Sequence, residues 1–223
     1  MEGINKAYLP AAGHNWALPL YDPFVKLLGG DKARKLLLDQ AAGQSIRRFL
    51  DLGCGTGTLV VMMTKRLDPG MAIVGLDPDP KALARARRKA QQAGLSVKFD
   101  QGYSEALPYP AASFDRVFSS FMFHHLRADQ RERTLTEARR ILAPGGSLHL
   151  LDFERSEGSS GRLSRWFHSS THLDGNSEKR MLALLREAGF VSSTKVATGA
   201  RLFGLLRLGY YQAIVPAAAA DPT

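Results

Sequence analysis

The stretch that most constrains this chain is Phe49-Leu50-Asp51-Leu52-Gly53-Cys54-Gly55-Thr56-Gly57-Thr58-Leu59-Val60. A short apolar run ends at an acid, glycine recurs at every second position, and an apolar helical pattern follows. This reads as strand, tight loop and helix start. Glycine has no Cβ and accepts positive φ, so a ligand can approach the bare backbone of such a loop. The unpaired N–H groups of the first helical turn then face that ligand.

After residue 48 strands and helices alternate. Strands are predicted at about 48–52, 71–77, 95–100, 115–120 and 147–153, with helices at about 57–67, 80–93 and 129–142 between them. Asp79 followed by Pro80 is a strong helix start, and Pro144-Gly145-Gly146 is a stop. Asp129 with Glu132 reads as a capping pair that opens the third of these helices. A further helix covers 177–187, and two β-like runs, 191–203 and 205–215, meet near Gly204 as antiparallel neighbours. The spacing predicts an α/β fold with a Rossmann-like seven-stranded sheet, helices on both faces and an antiparallel last strand.

One domain over 1–216 is expected. It comprises an N-terminal helical arm or lid (1–44), a binding core (45–153) and an acceptor-side segment with the C-terminal hairpin (154–216). Asp31 is the expected cap of a helix in the arm. Residues 217–223 are expected to be a disordered tail.

No run of about 18 apolar residues is present, which excludes a membrane-spanning helix from the reading. The first residues, including Glu2 and Asn5, lack the continuous apolar stretch of a secretory leader. A single cysteine excludes an intrachain disulfide and fits a reducing, cytoplasmic setting. The formal net charge of +9 favours anionic partners or a basic solvated surface, but no long basic tail points to nucleic acid.

Asp77 ends the second predicted strand, about twenty residues past the glycine loop, where an acid of a doubly wound sheet accepts hydrogen bonds from ribose hydroxyls. Loop and acid together indicate a nucleoside-containing cofactor. Thr58 stands where a dinucleotide fingerprint has its third glycine, and no Gly-Lys-Ser/Thr follows, so pyrophosphate is disfavoured.

Asp51 to Gly57 resembles the first motif of class I S-adenosylmethionine-dependent methyltransferases. Further matches are Gly75-Leu76-Asp77, Gly102 through Glu105-Ala106-Leu107-Pro108-Tyr109, Ser113 to Val117, His124-His125-Leu126 and Leu142 to Gly146. The similarity runs over about 45–153 and is strongest to the branch that contains the ubiquinone/menaquinone C-methyltransferases. It implies S-adenosyl-L-methionine as cofactor and S-adenosyl-L-homocysteine as product. It also implies that Gly53, Cys54, Gly55 and Gly57 lie along the methionine part, with Asp51 anchoring its ammonium. Asp77 would bind the ribose, Pro78 the adenine, and Ser119 the end of the fourth strand. Many relatives have an acid where this chain has Tyr103. Backbone at Tyr103 and Ser104, with the Tyr103 ring stacked, is the expected substitute.

A sulfonium methyl is already activated, so in-line transfer asks mainly for positioning and exclusion of water. If the acceptor must lose a proton, His124 and His125 are the candidate bases. Tyr21, Phe121, His125, Trp166 and His168 are expected to contact substrate; aromatic faces suit a sulfonium cation. Cys54 is read as a small motif residue rather than a nucleophile. His168, His172 and Asp174 lack a further ligand at diagnostic spacing, so no metal is expected.

The resulting expectation is methyl transfer to a small, quinone-like or aromatic acceptor by a monomer or homodimer. A membrane-lipid acceptor with peripheral membrane contact is the alternative; RNA methylation or a non-catalytic cofactor-binding role comes after it. Ser119-Ser120-Phe121-Met122 stands where amino-methylating nucleic-acid enzymes carry Asn/Asp-Pro-Pro-Tyr/Phe.

Overall fold

A computed structural model describes residues 25–26, 29–40, 47–66, 70–154, 177–201 and 206–218. The expectations placed on the rest of the arm, on most of 154–175 (Trp166, His168, His172 and Asp174 included) and on nearly all of the tail lie outside these residues, as does Tyr21.

The elements in chain order are α1 (Gly30–Asp39), β1 (Arg48–Leu52), α2 (Thr58–Thr64), β2 (Ala72–Asp77), α3 (Pro80–Gln92), β3 (Lys98–Gln101), β4 (Phe114–Ser120), a short 3-10 turn (Phe123–His125), α4 (Ala128–Ile141), β5 (Leu142–Glu154), α5 (Glu178–Glu187), β6 (Ser192–Arg201) and β7 (Leu206–Ile214). They build a seven-stranded sheet in the order β3-β2-β1-β4-β5-β7-β6. β1, β2, β3, β4 and β5 pair in parallel, and β7 is antiparallel to both β5 and β6. The chain winds outward from β1 towards β3 and then crosses to β4, so the strand order reverses between β1 and β4. Ligands of open α/β sheets sit beyond the carboxyl ends of the strands at such a reversal.

Strands buried on both faces read as unbroken apolar runs rather than alternations. Leu50, Leu52, Val117, Leu148 and Leu150 pack with Leu135, Ile141 and Leu185 of α4 and α5 on one face. Phe49, Phe118 and Leu151 pack with Leu37, Leu59 and Leu83 of α1, α2 and α3 on the other. Each Leu or Phe so buried contributes about 1.5–3 kcal/mol of transfer free energy.

Helix starts follow local chemistry, with two departures from the sequence reading. Asp79 caps α3 by accepting from Lys81 N at 2.8 Å, with Pro80 in the first turn. Asp129, however, lies inside the first turn of α4: Gln130 Oε1 accepts from Arg127 N at 3.1 Å, while the Asp129 carboxylate pairs with Arg127 and Arg133. Asp31 likewise falls inside α1, which starts from Gly29 at φ 78°.

The third departure is the start of β5. Leu142 already pairs with Phe114, a bulge absorbs Pro144-Gly145, and pairing resumes at Ser147 opposite Arg116. Gly146 is needed there because a Cβ would lie 2.7 Å from Ala143 O and 3.0 Å from Asp115 O.

Candidate active site

A cavity of about 640 Å³ opens at the carboxyl ends of β1, β2 and β4, within the size range of small-molecule sites. Its floor is the glycine loop. Gly53 N and Cys54 N donate to Leu76 O at 2.8 and 3.0 Å, tying the loop to the end of β2. Lys89 of α3 reaches back to the Thr56 and Thr58 hydroxyls at 3.2 and 2.8 Å. Gly53 and Gly57 are packing glycines: their Cβ positions would lie 2.4 Å from Met122 Cγ and 2.9 Å from Ala86 Cβ. Gly55 differs, because a Cβ there meets nothing within 4 Å. Its bare backbone faces open space among cavity-lining residues.

Asp77 stands at the lip. Its carboxylate accepts from Gly55 N at 2.8 Å and Asp79 N at 2.9 Å. Burial raises its pKa to about 6, and those two hydrogen bonds pull against the rise. Each oxygen retains a lone pair for a hydroxyl donor. Asp51 lies deeper, 1% exposed, on the same sheet face: it pairs with Gly75, and Asp77 is two residues further along that strand. Both Asp51 carboxylate oxygens lack a hydrogen-bond partner among the described residues. Burial raises this carboxyl to about 7; nearby Arg34 opposes the rise and Asp77 adds to it. A buried carboxylate without a partner is costly, and a ligand ammonium removes that cost.

The wall comes from the chain after β4. Ser120, Phe121, Met122, His125 and Leu126 line the cavity. Phe121 is held at φ 57°, a left-handed conformation unusual for an aromatic residue, with its N–H on Leu151 O at 2.8 Å. Such strain persists where the surroundings impose it, often at ligand sites. Opposite, Pro78, Asp79, Tyr103, Ser104 and Glu105 complete the lining, with Arg127, Gln130 and Arg133 at the edge.

Several sequence-stretch expectations divide at this wall. Gly53, Cys54, Gly55, Asp77, Pro78, Tyr103, Ser104, Phe121 and His125 line one cavity; Asp51, Gly57, Ser119 and His124 are not among its lining residues. Ser119 Oγ is buried away from the site without a partner among the described residues, and Ser120 takes the place expected of it. Strand alternation explains this: Phe118 pairs with Asp51, so Ser120, not Ser119, shares the Asp51 face. His124 is 4% exposed, with Nδ1 2.6 Å from Asp152 Oδ1 and its N–H on Asp152 Oδ2 at 2.8 Å. Its ring centroid lies 4.0 Å from that of His125. Of the two histidines, only His125 borders the cavity. Burial pushes the Cys54 thiol well up, so it stays protonated at neutral pH and is no nucleophile.

Sequence reasoning missed Arg34. It lies on α1, lines the cavity, is 6% exposed, and its guanidinium carbon stands 5.3 Å from the centre of the Phe121 ring. The signal was present: Arg34 shares a helix stripe with Leu37 and Leu38, both buried. A lone charge inside an apolar stripe marks a residue that points at something other than core.

Comparison with known proteins agrees with this geometry. Residues 49–146 match the family model described as "Methyltransferase domain". The demethylmenaquinone methyltransferase of Thermus thermophilus is 44% identical over 138 residues, 60% of this chain and 61% of that protein. The enzyme of the same name from Deinococcus radiodurans is 41% identical over 138 residues, covering 60% and 56%. A 27-O-demethylrifamycin SV methyltransferase from Amycolatopsis mediterranei is 34% identical over 129 residues, covering 55% and 46%. The alignments thus span less than two thirds of each relative. Among solved structures, a SAM-dependent methyltransferase from Aquifex aeolicus superposes with a TM-score of 0.63 at 21% identity, over 82% of this chain and 89% of that one. The fold is that of the class I S-adenosylmethionine-dependent methyltransferases. Residues 49–146 are thus similar in sequence to a methyltransferase domain, and demethylmenaquinone methyltransferases are among the relatives they match.

Proposed function

We propose that this protein transfers the methyl group of S-adenosyl-L-methionine to a small aromatic acceptor of the quinol type. The observation that carries the reading is one cavity that joins a nucleoside-sized cradle to a histidine. The cradle comprises bare Gly55 backbone and the Asp77 lip, with Asp51 buried at the end of β1 and without a hydrogen-bond partner among the described residues; His125, Phe121 and Met122 form the wall beside it. The residues fit the cofactor in kind: an acid for the ammonium, an acid for the ribose, and an open glycine for the chain between them. Tyr103 and Ser104, which line the same cavity, would read the adenine ring.

The cofactor supplies a methyl group already activated on a sulfonium. The chain's own task is to hold the acceptor carbon or oxygen in line with it, exclude water and take away one proton. Transfer would form the acceptor–methyl bond at the expense of the sulfur–carbon bond, whose electron pair would stay on sulfur. The acceptor's proton passes to a ring nitrogen of His125. His124, fixed at two points by Asp152, packs against that ring and orients it. The quinol class is supported by the names of the Thermus and Deinococcus relatives, which are demethylmenaquinone methyltransferases. A lipid-soluble acceptor also suits peripheral contact of the cationic surface with a membrane.

The test is incubation with methyl-labelled cofactor and a short-chain reduced demethylnaphthoquinone. Label in the methylated naphthoquinol is expected, with His125→Gln slowing turnover about 100-fold while cofactor affinity changes by less than about threefold. Unimpaired turnover by His125→Gln overturns the base. Cofactor binding without any transfer to the quinol overturns the acceptor class.

A further inference from the structure

Arg131 of α4 has no part in the transfer described above, yet sequence and packing both single it out. It heads the buried stripe Arg131, Thr134, Leu135, Ala138 and Ile141, and is itself 2% exposed. A guanidinium there is costly twice over. Burial works against its charge and lowers its pKa, and a cation near a helix N-terminus opposes the helix dipole. An aliphatic side chain of similar size would fill the space without either cost, so something local must offset the charge.

Its partners identify what that is. Helical side chains lean toward the N-terminus, so Arg131 reaches back over the residues that precede α4. Its Nε–H is shared between the carbonyls of Phe123 and Leu126, at 3.2 and 3.0 Å. Those two carbonyls bracket His124 and His125. The Asp152 carboxylate of β5 lies near enough to favour the Arg131 cation. The same carboxylate accepts from His124 N at 2.8 Å and meets His124 Nδ1 at 2.6 Å. A 3-10 turn of three residues has little stability of its own. This one is gripped by a cation on its carbonyls and by an acid on its N–H and ring, and such charge-assisted bonds are about twice as strong as neutral ones.

We infer that Arg131 is a positioning residue for His125: together with Asp152 it clasps the Phe123–His125 turn and so fixes the His125 ring at the cavity wall. Arg131 does not line the cavity, so it acts through the turn. The ring of His124, held by Asp152, lies 4.0 Å from that of His125 between centroids and passes the grip on. The inference rests on the reading of His125 as the base, but the clasp itself is measurable without any acceptor.

Hydrogen–deuterium exchange of the full chain, read by mass spectrometry on the peptide spanning 120–127, reports the clasp directly. Arg131→Met keeps the bulk of the side chain and removes the donor. It is expected to speed exchange in that peptide about tenfold or more, while peptides of β1 and β2 keep wild-type protection and certify the fold. Arg131→Lys, which keeps the charge but loses the Nε donor, should recover part of the protection. In the labelled-methyl assay Arg131→Met should lower kcat about tenfold or more and leave the affinity for S-adenosylhomocysteine within about threefold. If Arg131 only packs, Met fills its place and both exchange and kcat stay at wild-type values, which overturns the inference. Faster exchange with an unchanged kcat overturns the positioning role as well. Should Arg131→Met not fold, Arg131→Gln carries the same comparison, with faster exchange at 120–127 and a lower kcat expected and wild-type values of either overturning the role. A wild-type chain whose turn is protected but which transfers no methyl group overturns the acceptor reading instead, and the exchange data separate the two failures.

Discussion

Asp51 is a residue whose ionisation the free protein disfavours. Burial raises its pKa from 3.8 to about 7. The groups facing it are Arg34, which favours the carboxylate, and Asp77, which disfavours it; Cys54 beside it remains a neutral thiol. Between these two pH values the folded protein holds a proton that the unfolded chain has released. Stability of the free protein therefore falls as pH rises from about 4 to 7. A cofactor ammonium placed against Asp51 would reverse this preference, since it requires the carboxylate. Below about pH 7 binding must then expel a proton, so affinity rises with pH by up to about tenfold per unit and levels off above pH 7. Calorimetry of S-adenosylhomocysteine from pH 5.5 to 8 should show that slope together with proton release to buffer at the acid end. Asp51→Asn should flatten it, leaving the shallower part due to Asp77, whose pKa is about 6. A wild-type affinity independent of pH over this range would count against an ionised Asp51–ammonium contact.

At the scale of elements, the glycine loop and its flanks divide labour in a way that substitution can separate. Gly57→Ala forces a side chain onto φ 74° and drives its Cβ to 2.9 Å from Ala86 on α3, so the cost falls on the packing of α2 against α3. It should destabilise the protein by about 2–4 kcal/mol in urea unfolding. Gly55→Ala sits at φ 51° with no neighbour within 4 Å. It should cost only about 1–2 kcal/mol of stability but at least about tenfold in cofactor affinity, because the new methyl group occupies ligand space. The reverse pattern would place the cofactor away from Gly55.

The same loop shows what was legible in the sequence. Strand, loop and helix could be read because glycine spacing and apolar runs are local signals, and the strand alternation with helices gave the sheet. Asp79 and Pro80 were equally local. Three details were not. The start of β5 depends on Gly146 fitting against the Asp115 carbonyl, which is a contact between strands. Asp129 lost the cap of α4 to the Gln130 side chain, a choice between neighbours that both favour helix starts. Ser120 displaced Ser119 because facing is fixed by register with β1, and one residue of register exchanges the two faces. Arg34 was overlooked for a related reason: its place at the cavity appears only when α1 is packed on the sheet.

The whole molecule carries a formal net charge of +9, and no described helix is long and apolar enough to cross a membrane. How that charge is distributed bears on how a lipid-soluble acceptor would reach the cavity. α3 starts at Pro80, directly after the cavity-lining residues Pro78 and Asp79, and its outer face exposes Lys81, Arg85, Arg87 and Arg88. A cationic helix that begins at the lip of the site is placed to rest on an anionic surface with the cavity nearby. Each such residue near an anionic leaflet contributes about 1 kcal/mol, enough for reversible contact and too little for permanent attachment. Salt screens that contribution over distances of about 10 Å at 0.1 M. The protein should therefore cosediment with vesicles containing about one-third anionic lipid at low salt and be released at about 0.5 M salt. It should not cosediment with purely zwitterionic vesicles. Arg85→Glu/Arg88→Glu should abolish cosedimentation while leaving cofactor affinity within about twofold, since neither residue lines the cavity. Vesicle binding that ignores both salt and the double substitution would assign the contact to apolar surface elsewhere. No binding to anionic vesicles at low salt would mean that the acceptor reaches the site from water, and that the charge of α3 serves only solubility.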